Sequence, residues 1–418
     1  MKLTLISAIL CSAAIPAFAG EKTDVLSNYS DIAAAAYGDA LTTARTLQVA
    51  VDALITNPSA ETQQAAKTAW LAARVPYLQT EAFRFGNAIV DNWEGQVNSW
   101  PLDEGLIDYV DVAYGGATEE NAFAALNVIG TPKFVLSGVD VDATTITPEL
   151  ISKTLQEADG VASNVATGYH AIEFLLWGQD LNGNGPGAGA RPFTDYAVGA
   201  ACTNGNCDRR AAYLQSATTL LVNDMEFMAA AWAPEGAARM AVMADENAGI
   251  LTMLTGMGSL SYGELAGERM KLGLMLNDPE EEMDCFSDNT HNSQYYDGLS
   301  VQNVYLGTYT RSDGSVVTGP SLSGLVAATD PAVNTQLTSD LAATMAALGA
   351  MKSAADAGMT YDQMIAPGNT EGAALITAAV DGLIKQTKSV ERAVSVLGVG
   401  AMALNGSDSL DNPNAVFQ

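Results

Sequence analysis

Long alanine-rich stretches with apolar residues at helical spacing alternate with short breaks rich in Pro, Gly and Asn, a pattern that predicts an all-α chain. The first stretch covers residues 24 to 56 and stops at Asn57-Pro58. Ser59 then caps a second, which runs to about Gly86 with a kink or break expected at Pro76. Thr147, Pro148 and Glu149 read as a helix start, and that helix leads through Asp159-Gly160 into the segment at 168 to 180. Helical composition returns from Arg209 to about Trp232, breaks at Pro234, and resumes from Glu235 toward Met257. Two more amphipathic helices follow, about 322 to 355 with an interruption at Asp330-Pro331, and about 371 to 397. Before them, NVYLGTYTRSDGSVVTG predicts one small hairpin turning at Asp313-Gly314. The glycine-rich run DLNGNGPGAGARPFTDY is the best candidate boundary. The expectation is therefore two helical-bundle domains packed together, 20–190 and 209–418, joined by a linker at 191–208.

Two polar stripes interrupt the apolar pattern. In GYHAIEFLLWGQD, residues 168 to 180, His170, Glu173 and Trp177 fall on one helical stripe and Ile172, Leu175 and Leu176 on the opposite one. A His and a Glu three positions apart are surface neighbours. They suit a two-point grip on a cation, or a base held in one tautomer by its partner. The competing reading is a buried histidine satisfied by its helix neighbour, since two residues do not define a metal site. In the second helix Trp70, Arg74, Tyr77 and Glu81 make a face too polar for ordinary core. That face either lines a cleft or forms an amphipathic boundary with an Arg74 to Glu81 network. Residues 91 to 111 hold no helical period and read as an ordered loop, in which Asp103, Glu104 and Asp108 offer oxygen ligands or plain surface charge. SDNTH at 287 to 291 gathers residues that favour caps and turns. If that loop is buried its polar groups need partners, which the helix at 168 to 180 can provide.

The GxHxxE pattern of Gly168, His170 and Glu173, followed by FLLWGQD, resembles the imelysin family, the imelysin-like peptidases that include iron-regulated protein A. WLAARVPYLQTEAFRFG at 70 to 86, GERMKLGL at 267 to 274, CFSDNTH at 285 to 291 and NVYLGTY at 303 to 309 agree with it in order. The resemblance implies two related helical bundles, a link to iron uptake, and His170 and Glu173 as the centre of a metal site. Glu81, Arg84, Asp288 and His291, which lie in the matching segments, are expected to line the cleft between the two halves.

Residues 1 to 19 read as a secretory signal, with Lys2 at the positive end, an apolar core, and Ala17-Phe18-Ala19 as the small-x-small cleavage site. Cys11 lacks the small residue that a lipoprotein signal places before its cysteine, so a cleaved leader is preferred to a lipid anchor. No other run is long and apolar enough to span a bilayer. The expected location is the periplasm or cell envelope. The chain carries a net charge of −29 at pH 7. Such acidity excludes nucleic acid as a partner and concentrates soluble cations, although it also serves solubility. Cys202 and Cys207 bracket the turn TNGN and are the preferred disulfide, with Cys285 left as a packed free thiol. Asp180, Asn182, Asn184 and Gly185 match the opening of an EF-hand loop, but Arg191 stands where the bidentate Glu is needed, and a glycine-permissive turn is preferred.

Hydrolysis asks for more than these residues supply. The zinc motifs HExxH and HxxEH each need a second His on the helix, and position 174 is Phe. His291 is the other imidazole in the chain. If His170, Glu173 and His291 all bind a metal, Glu173 is the one named candidate for catalysis and no spare base remains. Binding is therefore the preferred function: capture of a metal ion or its chelate, iron favoured with zinc or calcium as alternatives, in uptake through an envelope component. A metal-dependent peptidase is the alternative, and a docking module without metal a third.

Overall fold

A computed structural model describes residues 21 to 417. The proposed leader, with Cys11, lies outside the described residues. Eight helices carry the fold: α1 (Lys22–Thr56), α2 (Ala60–Leu78), α3 (Gly168–Trp177), α4 (Cys207–Ala231), α5 (Glu246–Ser259), α6 (Thr290–Leu306), α7 (Pro331–Asp356) and α8 (Thr370–Leu397). The α5 helix runs without a break into a π-wound continuation, Leu260–Leu272.

The local chemistry of these helices is plain at their ends. Ser59 and Thr62 form a reciprocal capping box, in which Thr62 N donates to Ser59 Oγ at 3.2 Å and Ser59 N to Thr62 Oγ1 at 3.0 Å. Such a cap contributes roughly 1 kcal/mol. Asp330 does the same for α7, accepting from Ala332 N and Val333 N, with Pro331 fitting the first helical position. This cap is the interruption expected at Asp330-Pro331. The α2 helix continues through Pro76 and ends two residues later at Leu78; a proline so near the C-terminal end removes little of the helix.

Packing divides the helices into two groups. The α1 helix packs against α2 and α4 and buries Leu26, Ala33, Tyr37, Ala40, Ala44 and Leu47, with alanines that allow close approach. The short α3 sits against α2 and α4. In the second group α8 packs along α7 and the π-wound segment, and α6 packs on α7. The groups meet where α6 crosses α2 and α5 crosses α1. The α4 helix, placed after the expected linker, packs with the first group. Cys202 and Cys207 are bonded at its N-terminus, and Cys285 is free.

Two antiparallel hairpins accompany the helices. Thr308–Thr310 pairs with Val316–Thr318 around the expected Asp313-Gly314 turn, with Tyr309 opposite Val317. A second pairs Lys133–Leu136 with Val139–Asp142. Its turn residues Ser137 and Gly138 both have positive φ, the geometry that two-residue hairpins favour. The stretch at 91 to 111 is an irregular path with the end of a short helix, Ala88–Glu94, at its start and a single 3-10 turn, Glu104–Leu106, further on. Among the described residues no helix is long and apolar enough to cross a membrane.

Candidate metal centre

Gly168 opens α3 for a backbone reason. Its φ is +78°, and a Cβ there would lie 2.4 Å from Val97 O. The next amide, Tyr169 N, donates to that same oxygen at 2.8 Å. The start of the helix is thus pinned to the turn after Glu94, and only glycine fits the pin. Trp70 Nε1 donates to Tyr169 O at 2.9 Å, while the Trp70 and Trp177 rings meet edge-on at 5.4 Å. All ten residues of α3 are buried. The polar stripe does not face solvent as an amphipathic helix would have it; the segment from Glu282 to Thr290 contributes its cover.

That cover makes the site. His170 Nδ1 lies 3.0 Å from Glu173 Oε2 and 3.8 Å from Asp284 Oδ1. Ser287 donates twice to the other Glu173 oxygen, Oε1, from N at 3.0 Å and from Oγ at 2.6 Å. The SDNTH loop therefore finds its partner on the α3 helix. Arg74 Nη2 donates to Asp284 Oδ1 at 2.8 Å, and Asp284 Oδ2 accepts from Asn289 Nδ2 at 2.8 Å and from Ser293 Oγ. The Arg74 guanidinium is boxed by Tyr169, Trp70 and Tyr77 at 5.0 to 5.6 Å, and its Nη1 reaches Asn98 Oδ1. Of the polar face on α2, Arg74 turns to Asp284. Glu81 turns to Arg269 at 2.9 Å, so the two form no network with each other.

Burial and charge set the protonation of these groups. Burial first, then the Arg74 charge, pushes His170 down to about 3, so the ring is neutral and able to act as a ligand. Burial and the neighbouring Asp284 charge hold the Glu173 carboxyl well above the usual carboxylate range, against the pull of Ser287. Burial alone would raise Asp284, but Arg74 leads a set of partners that keeps it below its ordinary value. Since Glu173 Oε1 takes both Ser287 donors, a proton on this carboxyl belongs on Oε2, facing His170 Nδ1. A cation in that proton's place would meet two carboxylates and an imidazole.

The fit to a metal rests on three observations. One ligand atom from each of His170, Glu173 and Asp284 lies within 4.8 Å of the others. His170 Nε2 is buried with no hydrogen-bond partner, so protein groups satisfy only one nitrogen of the ring, Nδ1 through Glu173. A gap of about 10 Å³ borders His170, lined also by Trp100, Glu282, Cys285 and Phe286, enough for roughly one water-sized group. The larger surface depression over Tyr109, Gly178 and Arg191, about 380 Å³, is not lined by any of these three residues.

The other expected residues lie elsewhere. Glu81 belongs to a buried pairing in which Arg269 also binds Asp297 at 2.7 Å. Arg84 lines a polar cleft of about 350 Å³ with Glu94, Asn98, Trp100 and Glu264, and Asn98 connects that cleft to Arg74. His291 is the second residue of α6, with Nε2 at 3.0 Å from Asn292 and 3.9 Å from Asp356, and is not part of the three-residue group. Asp288 is half-buried, with Oδ1 lacking a hydrogen-bond partner, and is not part of the three-residue group. Asp284, outside the expected set, is the third member of the group. Its signal was position, one residue before the CFSDNTH segment.

Comparison with known proteins follows the same lines. The family profile described as imelysin matches residues 33–390. A crystal structure described as an iron-regulated protein A precursor from Parabacteroides distasonis superposes with a TM-score of 0.66 at 19% identity, covering 92% of this chain and 97% of that one. An imelysin-like protein from Psychrobacter arcticum superposes with a TM-score of 0.61 at 16% identity, covering 93% and 100%. Among proteins with curated descriptions none matches the chain. At these identities the two structures speak for the fold.

Proposed function

The chain belongs to the imelysin family, and from that premise we propose that it binds a metal ion, iron first, at His170, Glu173 and Asp284, in the service of metal uptake in the cell envelope. The observation that carries this reading is the convergence of one neutral imidazole and two carboxylates on one buried point, beside an imidazole nitrogen that the protein leaves without a partner. A mixed nitrogen and oxygen donor set of this kind suits iron or zinc better than calcium. His170, Glu173 and Asp284 hold the ion. Ser287 and Arg74 orient the two carboxylates, the role that outer partners play at metal centres. The small gap at His170 favours a bare ion over haem or a siderophore at this point.

Two features weigh against the peptidase alternative. Glu173, its candidate base, is itself a proposed ligand, and Asp284 is tied to Arg74. A peptide also needs an open position at the metal, whereas His170 is 2% exposed. The test is equilibrium dialysis of the full chain against iron(II), iron(III) and zinc, alongside Glu173→Ala and His170→Ala. One tightly bound iron, lost in both variants, supports the reading. Retention of the same metal by both variants refutes it, and metal-dependent turnover on a peptide pool lost with Glu173 would favour the peptidase.

A further inference from the structure

We propose that the polar cleft beside Arg84 is a binding site for a cationic amino acid, a small molecule that carries a carboxylate, an α-ammonium group and a basic side chain. The proposal does not rest on the metal assigned to His170. The cleft holds about 350 Å³, within the range of pockets that take small ligands, and lies where the chain from Arg84 to Pro101 meets the π-wound segment of the second group. Glu264, Glu268, Arg269 and Leu272 all border it, so one face of that segment forms its wall. A π-wound turn is rare and frequently marks a functional site. Trp100 and Pro101 border both this cleft and the gap at His170, but no donor of the His170 centre lines the cleft.

Two donors at the buried end of the cleft are left over by the fold. They belong to Asn98, 1% exposed, and Arg269, 2% exposed, both of which border the cleft. Arg74 Nη1 donates to Asn98 Oδ1 at 2.6 Å, and because an arginine can only donate, the amide oxygen must be the end that faces it. Asn98 Nδ2 is then the free end, and it has no hydrogen-bond partner. Arg269 commits Nη2 to Glu81 and Glu264 and Nη1 to Asp297, while its Nε has no partner. Buried donors without acceptors are costly. A carboxylate entering the cleft supplies the acceptors that both lack.

The acids of the cleft outnumber its bases, four glutamates to two arginines. Arg84 pairs with Asp91, Glu94 and Glu264 at 3.0 to 3.4 Å, and Arg269 with Glu264 at 3.2 Å. Both arginines are thus spent within the protein. Glu268 and Glu281, half-buried in the lining, have no ion-pair partner among the described residues and remain for the cations of a ligand. Trp100, also half-buried there, adds aromatic surface, which attracts organic ammonium and guanidinium groups. A bare metal ion would answer the acids but not the two donors, and a simple anion the donors but not the acids. A molecule that carries both charges answers both, and the second free glutamate calls for a second positive group.

The test is calorimetric titration of the full chain, after chelator treatment, with L-lysine and L-arginine, and with cadaverine and L-glutamate as probes that lack the carboxylate or the basic side chain. With no metal present, the outcome is independent of the reading at His170. Glu268→Gln removes a charge that the fold does not pair. Asn98→Asp keeps an oxygen for Arg74 while replacing the free donor with an acceptor, and circular dichroism checks that each variant is folded. The expected result is one lysine or arginine bound per wild-type chain, with binding at least tenfold weaker in both variants and for both other probes. The proposal is overturned if neither amino acid binds the wild type, if the folded variants bind as the wild type does, or if cadaverine or glutamate binds as tightly.

Discussion

Arg74 and Asp284 form an ion pair at 2.8 Å across 210 residues of sequence, each side chain no more than 1% exposed. The pair joins α2 of the first group to the turn before α6 of the second, and the acid it orients is one of the three donors around His170. A guanidinium in this position neutralises Asp284 when no metal is bound and competes with a metal for it.

Arg74→Met therefore separates stability from binding. Removing one partner of a buried pair leaves the other charge uncompensated, at a cost of roughly 3–5 kcal/mol. We expect urea unfolding of the metal-free variant to show a loss of that size. The metal restores part of it, because Asp284 then has a single cationic partner. Equal destabilisation with and without metal would remove Asp284 from the site.

Gly168→Ala tests the pin that aims the motif helix. A side chain at φ +78° is strained, and its Cβ would meet Val97 O at 2.4 Å. The cost of the backbone strain alone is about 1–3 kcal/mol. Thermal melting should show the loss, and iron affinity should fall with it, because the turn must shift and carry Tyr169 and His170 along.

Ser287→Ala removes one of two donors to Glu173 Oε1 while leaving the backbone donor in place. Stability should change by about 1 kcal/mol. Metal affinity should fall by roughly tenfold, the lower end for loss of a partner behind a ligand. Calorimetry reads both on one sample.

The pH dependence follows from buried acids. Burial, then the Glu81 charge, pushes Glu94 up to about 7, and burial, then Glu280, does the same for Glu104. A carboxyl raised in the folded state contributes stability that is full below its unfolded value and is lost as pH rises through the folded one. His170 and His291, lowered to about 3 and about 4, act in the opposite sense up to their unfolded value near 6.5. The acids act alone from there to about pH 8, where Lys67, lowered to about 8 by burial and then by Arg191, begins to act in the opposite sense. Metal-free protein should lose stability as pH rises from 6.5 to about 8, and Glu104→Gln should flatten the fall by just under about 1 kcal/mol. A flat or rising profile in urea unfolding would contradict the assignment.

The helices were largely legible because caps and breaks are local chemistry. Ser59, Asp330-Pro331 and the 371 to 397 stretch declare themselves without knowledge of the fold. Ser137-Gly138 carried a hairpin signal that a search for helical periods passes over. The site was half legible. His170 and Glu173 share one helix, so their spacing shows in the sequence. Asp284 is brought to them by packing between the two groups of helices, which no local pattern records. The stripe beginning at Trp70 was marked as too polar for core, but its division between Asp284 and Arg269 depends on which residues of the second group face it.

The measurement that tests the central claim most directly is anomalous X-ray scattering from crystals of the chain grown with iron, collected on both sides of the iron edge. The account predicts one strong peak within coordination distance of His170, Glu173 and Asp284, with Arg74 retained beside Asp284. Iron at full occupancy elsewhere, with His170 and Glu173 still hydrogen-bonded to each other, would contradict it.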